Sequence, residues 1–230
     1  MKLAEQPATD TLPKLLRRNM QTFGGQVGMR EKDRGIWQSY SWHQCYEHVR
    51  EFALGLAAAG FQRCDKLSVL GDNRPRLYWA QLAAQALGGM AVPLYQDSIA
   101  SELAFVLQHA EVTIIVAEDQ EQVDKILSIA RDLPSLRLLI YEDPRGMNGY
   151  DHPLLKSFTD LEMMGRTFET NHSGYFEREL ELGRGGDVAL IAYTSGTTGR
   201  SKGALLSHAN MIATSERDRK STRLNSSHRL

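Results

Sequence analysis

The spacing of apolar residues along this chain changes several times, and each change predicts an element. In TLPKLLRRNMQTF, residues 11–23, the apolar positions form one stripe of a short amphipathic helix. VGMREK and IWQSYS flank Asp33-Arg34-Gly35, which predicts two antiparallel strands joined at a glycine-bearing turn. Ser41, followed three residues later by Gln44, is the start of a capping box. The helix it opens carries Val49, Phe52, Ala53 and Leu56 on one face, and Gly60 suits a left-handed stop.

From Lys66 onward strands and helices alternate. KLSVL (66–70), MAVPL (90–94), VTIIVA (112–117) and LRLLIY (136–141) read as strands. Between them, residues 74–87 form a helix closed by Gly88-Gly89. Residues 101–110 form a second, with Ser98 or Ser101 as its cap, and residues 121–133 a third. Strands that are apolar on both faces and separated by helices predict an α/β fold: a parallel-rich sheet covered by helices, with right-handed crossovers. Residues 142–153 are a turn-rich loop, and a helical stretch lies around Phe158–Met164. The pattern weakens from Gly165 to Gly186. It recovers in GDVALIAYTS (186–195), a strand, and GALLS (203–207), a short strand or strand extension. HANMIATSE (208–216) then starts a helix with Ser207 as its cap. No low-complexity stretch or fixed-period repeat is present.

Composition narrows the class of protein. The 230 residues are 42% hydrophobic and 24% charged, with a formal net charge of -1, so no global electrostatic case exists for nucleic acid or an anionic membrane. That length allows one large domain or two small ones. The sequence has no apolar run of transmembrane length, and MKLAEQPATD lacks a signal-peptide core. The two cysteines, Cys45 and Cys64, fall in helical and strand-like patterns and read as reduced thiols of a cytosolic protein. His43, Cys45 and His48 have metal-like spacing, but no further ligand cluster lies nearby. Polar residues on the wet face of a helix are the favoured reading.

The chemistry concentrates in YTSGTTGRSKGALLSHAN, residues 193–210. A glycine-rich loop after a buried strand lets backbone N–H groups converge on an anion. Thr194, Ser195, Thr197, Thr198 and Ser201 add hydroxyl donors, and Lys202 adds an ammonium. A polyphosphate, with many accepting oxygens, is the natural guest. The stretch is not a Walker A loop, because the lysine stands in the wrong register, and it lacks the dinucleotide pattern G-x-G-x-x-G.

At these residues the chain resembles the AMP-forming adenylate synthetase superfamily, whose signature is Thr/Ser-Ser-Gly-Thr/Ser-Thr-Gly-x-Pro-Lys-Gly. Thr194 through Gly203 match it, except that Ser201 stands where proline is usual. Proline would stiffen the loop there. LLSHAN (205–210) is similar to the segment that follows the signature in acyl-CoA synthetases. Upstream, LYQDSIASELAFVLQHA and VAEDQEQVDKI resemble long-chain fatty acyl-CoA synthetases of bacterial type.

The resemblance implies two half-reactions. A fatty-acid carboxylate attacks the α-phosphorus of ATP with Mg2+ assistance, and the thiol of coenzyme A then displaces AMP. It implies that Thr194, Ser195, Gly196, Thr197, Thr198, Gly199 and Lys202 bind the ATP phosphates, not that they act as acids or bases. It further implies small-molecule substrates, a cytoplasmic location with peripheral membrane contact left open, and a partial N-terminal AMP-binding domain over residues 1–216. The C-terminal domain and the motifs for adenine, ribose and Mg2+ are not found, so the chain is expected to be an inactive fragment. An exposed sheet edge is expected to make it aggregation-prone. Catalytic residues and oligomeric state are not assigned.

Five further residues and the last segment admit more than one reading. His208 could line a pocket, but beginning a helix is the favoured role. Asp72 and Asn73 end a strand, where open sheets bind ligands, though a turn before a helix is the plainer reading. Tyr78 and Trp79 read as core or helix-packing residues. Residues 217–230 are expected to be non-native, because 218–228 (DRKSTRLNSSH) back-translate into a common sequencing adapter. The rival is a basic nucleic-acid-binding tail. Rival functions are a nucleotide-binding homologue without ligase chemistry, an adenylate-forming enzyme for another carboxylic acid, and a phosphate-loop NTPase.

Overall fold

The structure is a computed structural model and describes residues 9–194 and 201–226. Helix α1 (Leu12–Phe23) leads into the hairpin β1 (Val27–Asp33) and β2 (Ile36–Ser41), then α2 (Trp42–Ala58). The alternating part follows: β3 (Lys66–Leu70), α3 (Pro75–Ala86), β4 (Met90–Leu94), α4 (Ala100–His109), β5 (Ile114–Ala117), α5 (Gln120–Ile129) and β6 (Leu138–Tyr141). The chain ends through β7 (Leu155–Ser157), α6 (Phe158–Asn171), α7 (Tyr175–Leu182), β8 (Val188–Thr194), β9 (Lys202–Ser207) and α8 (His208–Ser226).

The main sheet has seven strands in the order β7-β6-β5-β3-β4-β8-β9. Every neighbouring pair is parallel except β8 and β9, which run antiparallel. The chain steps from β3 out to β4 and then returns across β3 to β5, so the direction of winding reverses at β3. Alternate strand residues explain the double apolar pattern. Leu67, Val69, Ile114, Val116 and Ile140 pack with α1, α2, α3, α6 and α7 on one face. Leu70, Ile115, Ala117, Leu139 and Ile191 pack with α4 and α5 on the other.

Local chemistry accounts for most element ends. Arg34 and Gly35 both take positive φ, 47° and 82°, the backbone that a two-residue turn needs to match strand twist. The Ser41–Gln44 capping box forms in both directions. Gly60 is left-handed with φ 80°, and Phe61 donates back to the Leu56 carbonyl. Ser207 caps α8, its hydroxyl accepting from the Asn210 amide. Helix α4 is different: it is capped by neither Ser98 nor Ser101, because Ile99 holds the cap position without a side-chain bond. Cys64 is not in a strand; it is exposed in the turn before β3 with φ 70°. Cys45 is fully buried, so the helix face carrying it is not wet. Nearby His48 bonds Glu162 at 2.7 Å and stacks on Trp79. Among the described residues no group of His, Cys, Asp or Glu could hold a metal ion, and no helix is long and apolar enough to cross a membrane.

Candidate phosphate-binding site

The site begins with β8, whose carboxyl end carries the signature. In β8 and β9 Thr194 stands opposite Lys202, and Tyr193 opposite Gly203. The two ends of the signature are therefore neighbours across a hairpin, with a hydroxyl and an ammonium side by side and both residues exposed. Gly203 packs tightly: a Cβ there would lie 3.0 Å from Ile191 and 3.2 Å from the Tyr193 ring, so both side chains would have to shift slightly. Tyr193 fixes the end of β8 laterally, its hydroxyl 2.6 Å from Nδ1 of His109 on α4. Burial pushes the Tyr193 phenol upward, so it remains protonated as a hydrogen-bonding group. Ser195, Gly196, Thr197, Thr198 and Gly199, the other residues expected to bind phosphate, lie outside the described residues.

Strands β4 and β8 are joined at a single register pair, Ala91 with Leu190. Proline at 93 contributes no N–H to lengthen that ladder. A buried side chain helps instead: Gln85 of α3 donates to the Ala189 carbonyl at 3.0 Å. Beyond Leu190 a cleft of 360 Å³ opens at the carboxyl ends of β3, β4 and β8. Its walls include Asn73, Tyr78, Pro93, Tyr95 and Tyr193. A cavity outside the carboxyl ends of parallel strands is where open α/β sheets take ligands. A larger groove of 540 Å³ runs along α6 past Met163, Phe168 and His172, and it shares no residue with β3, β4 or β8.

Asp72 and Asn73 form the turn before α3, and they also line the cleft. Trp79 is buried at 1% exposure, whereas Tyr78 is 43% exposed, lines the cleft and donates to Asn73. Tyr78 is therefore a wall of the cavity, not a core residue. His208 does not line the cleft; it is buried at 3% exposure at the start of α8.

One residue with a clear role escaped the sequence reading. Glu118, directly after β5, accepts the Asp72 amide at 2.5 Å and Arg74 Nε at 3.1 Å. It thereby shapes the 71–73 turn that walls the cleft. Gly71 must lack a side chain, because a Cβ there would collide with Glu118. The available signal was a carboxylate immediately following an apolar parallel strand.

In sequence and in fold the chain is similar to known ligases. The chain is 31% identical over 203 residues to the long-chain-fatty-acid–CoA ligase ACSBG2 of Homo sapiens, covering 87% of this chain and 29% of that protein. It is 28% identical over 178 residues to the long-chain-fatty-acid–CoA ligase FadD15 of Mycobacterium bovis, covering 77% of this chain and 28% of that one. The chain thus spans less than a third of the length of these relatives. Among solved structures, a putative long-chain-fatty-acid CoA ligase from Rhodopseudomonas palustris superposes with a TM-score of 0.69 at 19% identity, covering 89% of this chain and 46% of that chain. FadD1 from Archaeoglobus fulgidus, a long-chain-fatty-acid-CoA ligase, gives 0.67 at 18%, covering 90% and 39%. The model of the AMP-binding enzyme family matches residues 16–228, nearly the whole chain, and the chain belongs to that family.

Proposed function

We propose that this chain is the phosphate-binding part of an ATP-dependent ligase that activates a long-chain fatty acid, first to acyl-AMP and then to acyl-CoA. The observation that carries the reading is the pairing of Thr194 with Lys202 across the β8–β9 hairpin, beside the 360 Å³ cleft. A free carboxylate is a poor electrophile. Its oxygen attacks the α-phosphorus of ATP, the bond to the β-phosphate oxygen breaks, and pyrophosphate leaves with the electron pair. The part of Thr194 and Lys202 is to donate to the β- and γ-phosphate oxygens, where charge gathers as that bond breaks. Ser195 through Gly199 are assigned the same role.

Mg2+ would neutralise phosphate charge in such a reaction. No set of three potential ligands occurs among the described residues, so no step is assigned to a protein-held metal. No residue is assigned to coenzyme A. The long-chain acyl preference rests on the resemblance to relatives that bear that name, and the cytoplasm is the location that goes with it.

The test is acyl-CoA formation by the longest native reading frame containing this sequence, supplied with ATP, CoA and palmitate. Turnover with long-chain acids supports the reading. Turnover with amino acids or aryl acids alone refutes the acyl preference while sparing the family chemistry. ATP binding without any adenylate, whatever the acid, favours the nucleotide-binding homologue.

A further inference from the structure

Helix α1 begins with three residues whose amides have no partner within the helix. Pro13 has no N–H, and Lys14 donates to the Thr11 hydroxyl. The remaining amide, that of Leu12, donates to Nδ1 of His208 at 3.2 Å, 196 residues away in sequence. His208 follows β9 directly, so the strand that begins at Lys202 is tied at its far end to the first turn of α1.

The other strand of the hairpin is tied to the same place. Buried Lys14, 2% exposed, donates to the Gly183 carbonyl at 2.8 Å and to Asp10 at 3.1 Å. Asp10 accepts the Gly185 amide at 2.8 Å. The approach to β8 and the start of α8 are laced together as well: His208 and Ala209 donate their amides to the carbonyls of Asp187 and Gly185. Entry and exit of the phosphate-binding hairpin thus converge on residues 10–14. The charged groups around the imidazole are Asp10, Lys14 and Asp187. Only a ring with an unprotonated Nδ1 can accept the Leu12 amide, which fixes the tautomer as the Nε2–H form.

We propose that His208 is a positioning residue for phosphate binding: through the Leu12 amide it locks β9 onto α1 and so sets where Lys202 stands against Thr194. The proposal rests on the reading of the hairpin as the phosphate site. It concerns a residue that touches no substrate, and it gives buried His208 a purpose that a helix start alone does not require.

The test is the affinity of this chain for inorganic pyrophosphate, measured by titration calorimetry near neutral pH. Four chains are compared: unaltered, His208→Leu, His208→Asn and Leu12→Pro. Asn places an acceptor near the position of Nδ1. Leu12→Pro removes the donor while leaving His208 intact, at a helix position that favours proline, after Thr11, which is already extended. His208→Leu and Leu12→Pro are expected to weaken binding about tenfold, the scale of one well-placed hydrogen bond to a charged group. His208→Asn is expected to restore affinity to within about twofold of the unaltered chain. The same changes made on a Lys202→Met background are expected to cost nothing further, because their effect runs through Lys202. Unchanged affinity in Leu12→Pro, or equal losses with and without Lys202, would overturn the proposal alone. No pyrophosphate binding by the unaltered chain would overturn the underlying reading, and this one with it.

Discussion

Acid should weaken this fold through His208. The ring is buried at 3% exposure, and burial lowers its pKa from 6.5 to about 4. Asp187 and Asp10 oppose that fall, while Lys14 reinforces it. Protonation would also end acceptance of the Leu12 amide. Because the folded value lies below the unfolded one, the unfolded chain takes up the proton first. The stability contribution is therefore intact above pH 6.5, falls as the pH drops toward 4, and is flat below that. Between pH 7.5 and pH 5 the expected loss is about 2 kcal/mol.

Other groups titrate too. Asp10 is pushed up by burial but lowered more by the Gly185 amide and Lys14, and Glu142 is raised by burial against the pull of Arg76. Both are present in a His208→Asn chain, so the difference between the two chains isolates the imidazole. Urea unfolding of dilute protein at pH 7.5 and pH 5 gives that difference directly. Between those pH values the unaltered chain should lose about 2 kcal/mol more than His208→Asn. A double difference near zero, or of opposite sign, refutes the buried neutral histidine.

Two other changes probe the frame of the site. Gly165→Ala should cost about 1–3 kcal/mol in urea unfolding, since its Cβ would sit on the Glu51 carbonyl where α6 crosses α2; a neutral result would show that the helices cross less closely than described. Gln85→Leu should leave the Ala189 carbonyl without its buried donor. It should cost about 1–3 kcal/mol and speed amide exchange in β8 ahead of β3; uniform exchange across the sheet would refute a local anchor.

The alternating core was readable because its strands are apolar on both faces, a pattern that few other contexts produce. The end of α6 was harder to read. Gly165 interrupts its helical pattern, and glycine normally lowers helix preference. Only the structure reveals that α6 needs glycine there to approach α2, itself thinned at Gly55 opposite Leu161. Strand β7 is three residues long and half-buried, too short to show alternation. At the site the strand before the glycine-rich loop was legible from its apolar run, whereas the antiparallel return of β9 beside it was not, since residues 203–207 read only as a short strand or strand extension. The wall of the cleft was less so: Tyr78 sits among core residues in sequence and turns outward in space, and Glu118 acts on a loop 46 residues away. His208 begins a helix, as its sequence position favoured, but its partner, an amide at the other end of the chain, left no local signal.

The central claim, that the β8–β9 hairpin grips the phosphates of ATP, is tested most directly by backbone amide spectra of this chain during addition of ATP. The account predicts shifts centred on Tyr193–Gly203, extending to the rim at Gly71–Asn73 and Tyr95, and abolished by Lys202→Met. Shifts centred on the α6 groove at Met163 and Phe168, or shifts at the hairpin that survive Lys202→Met unchanged, would contradict it.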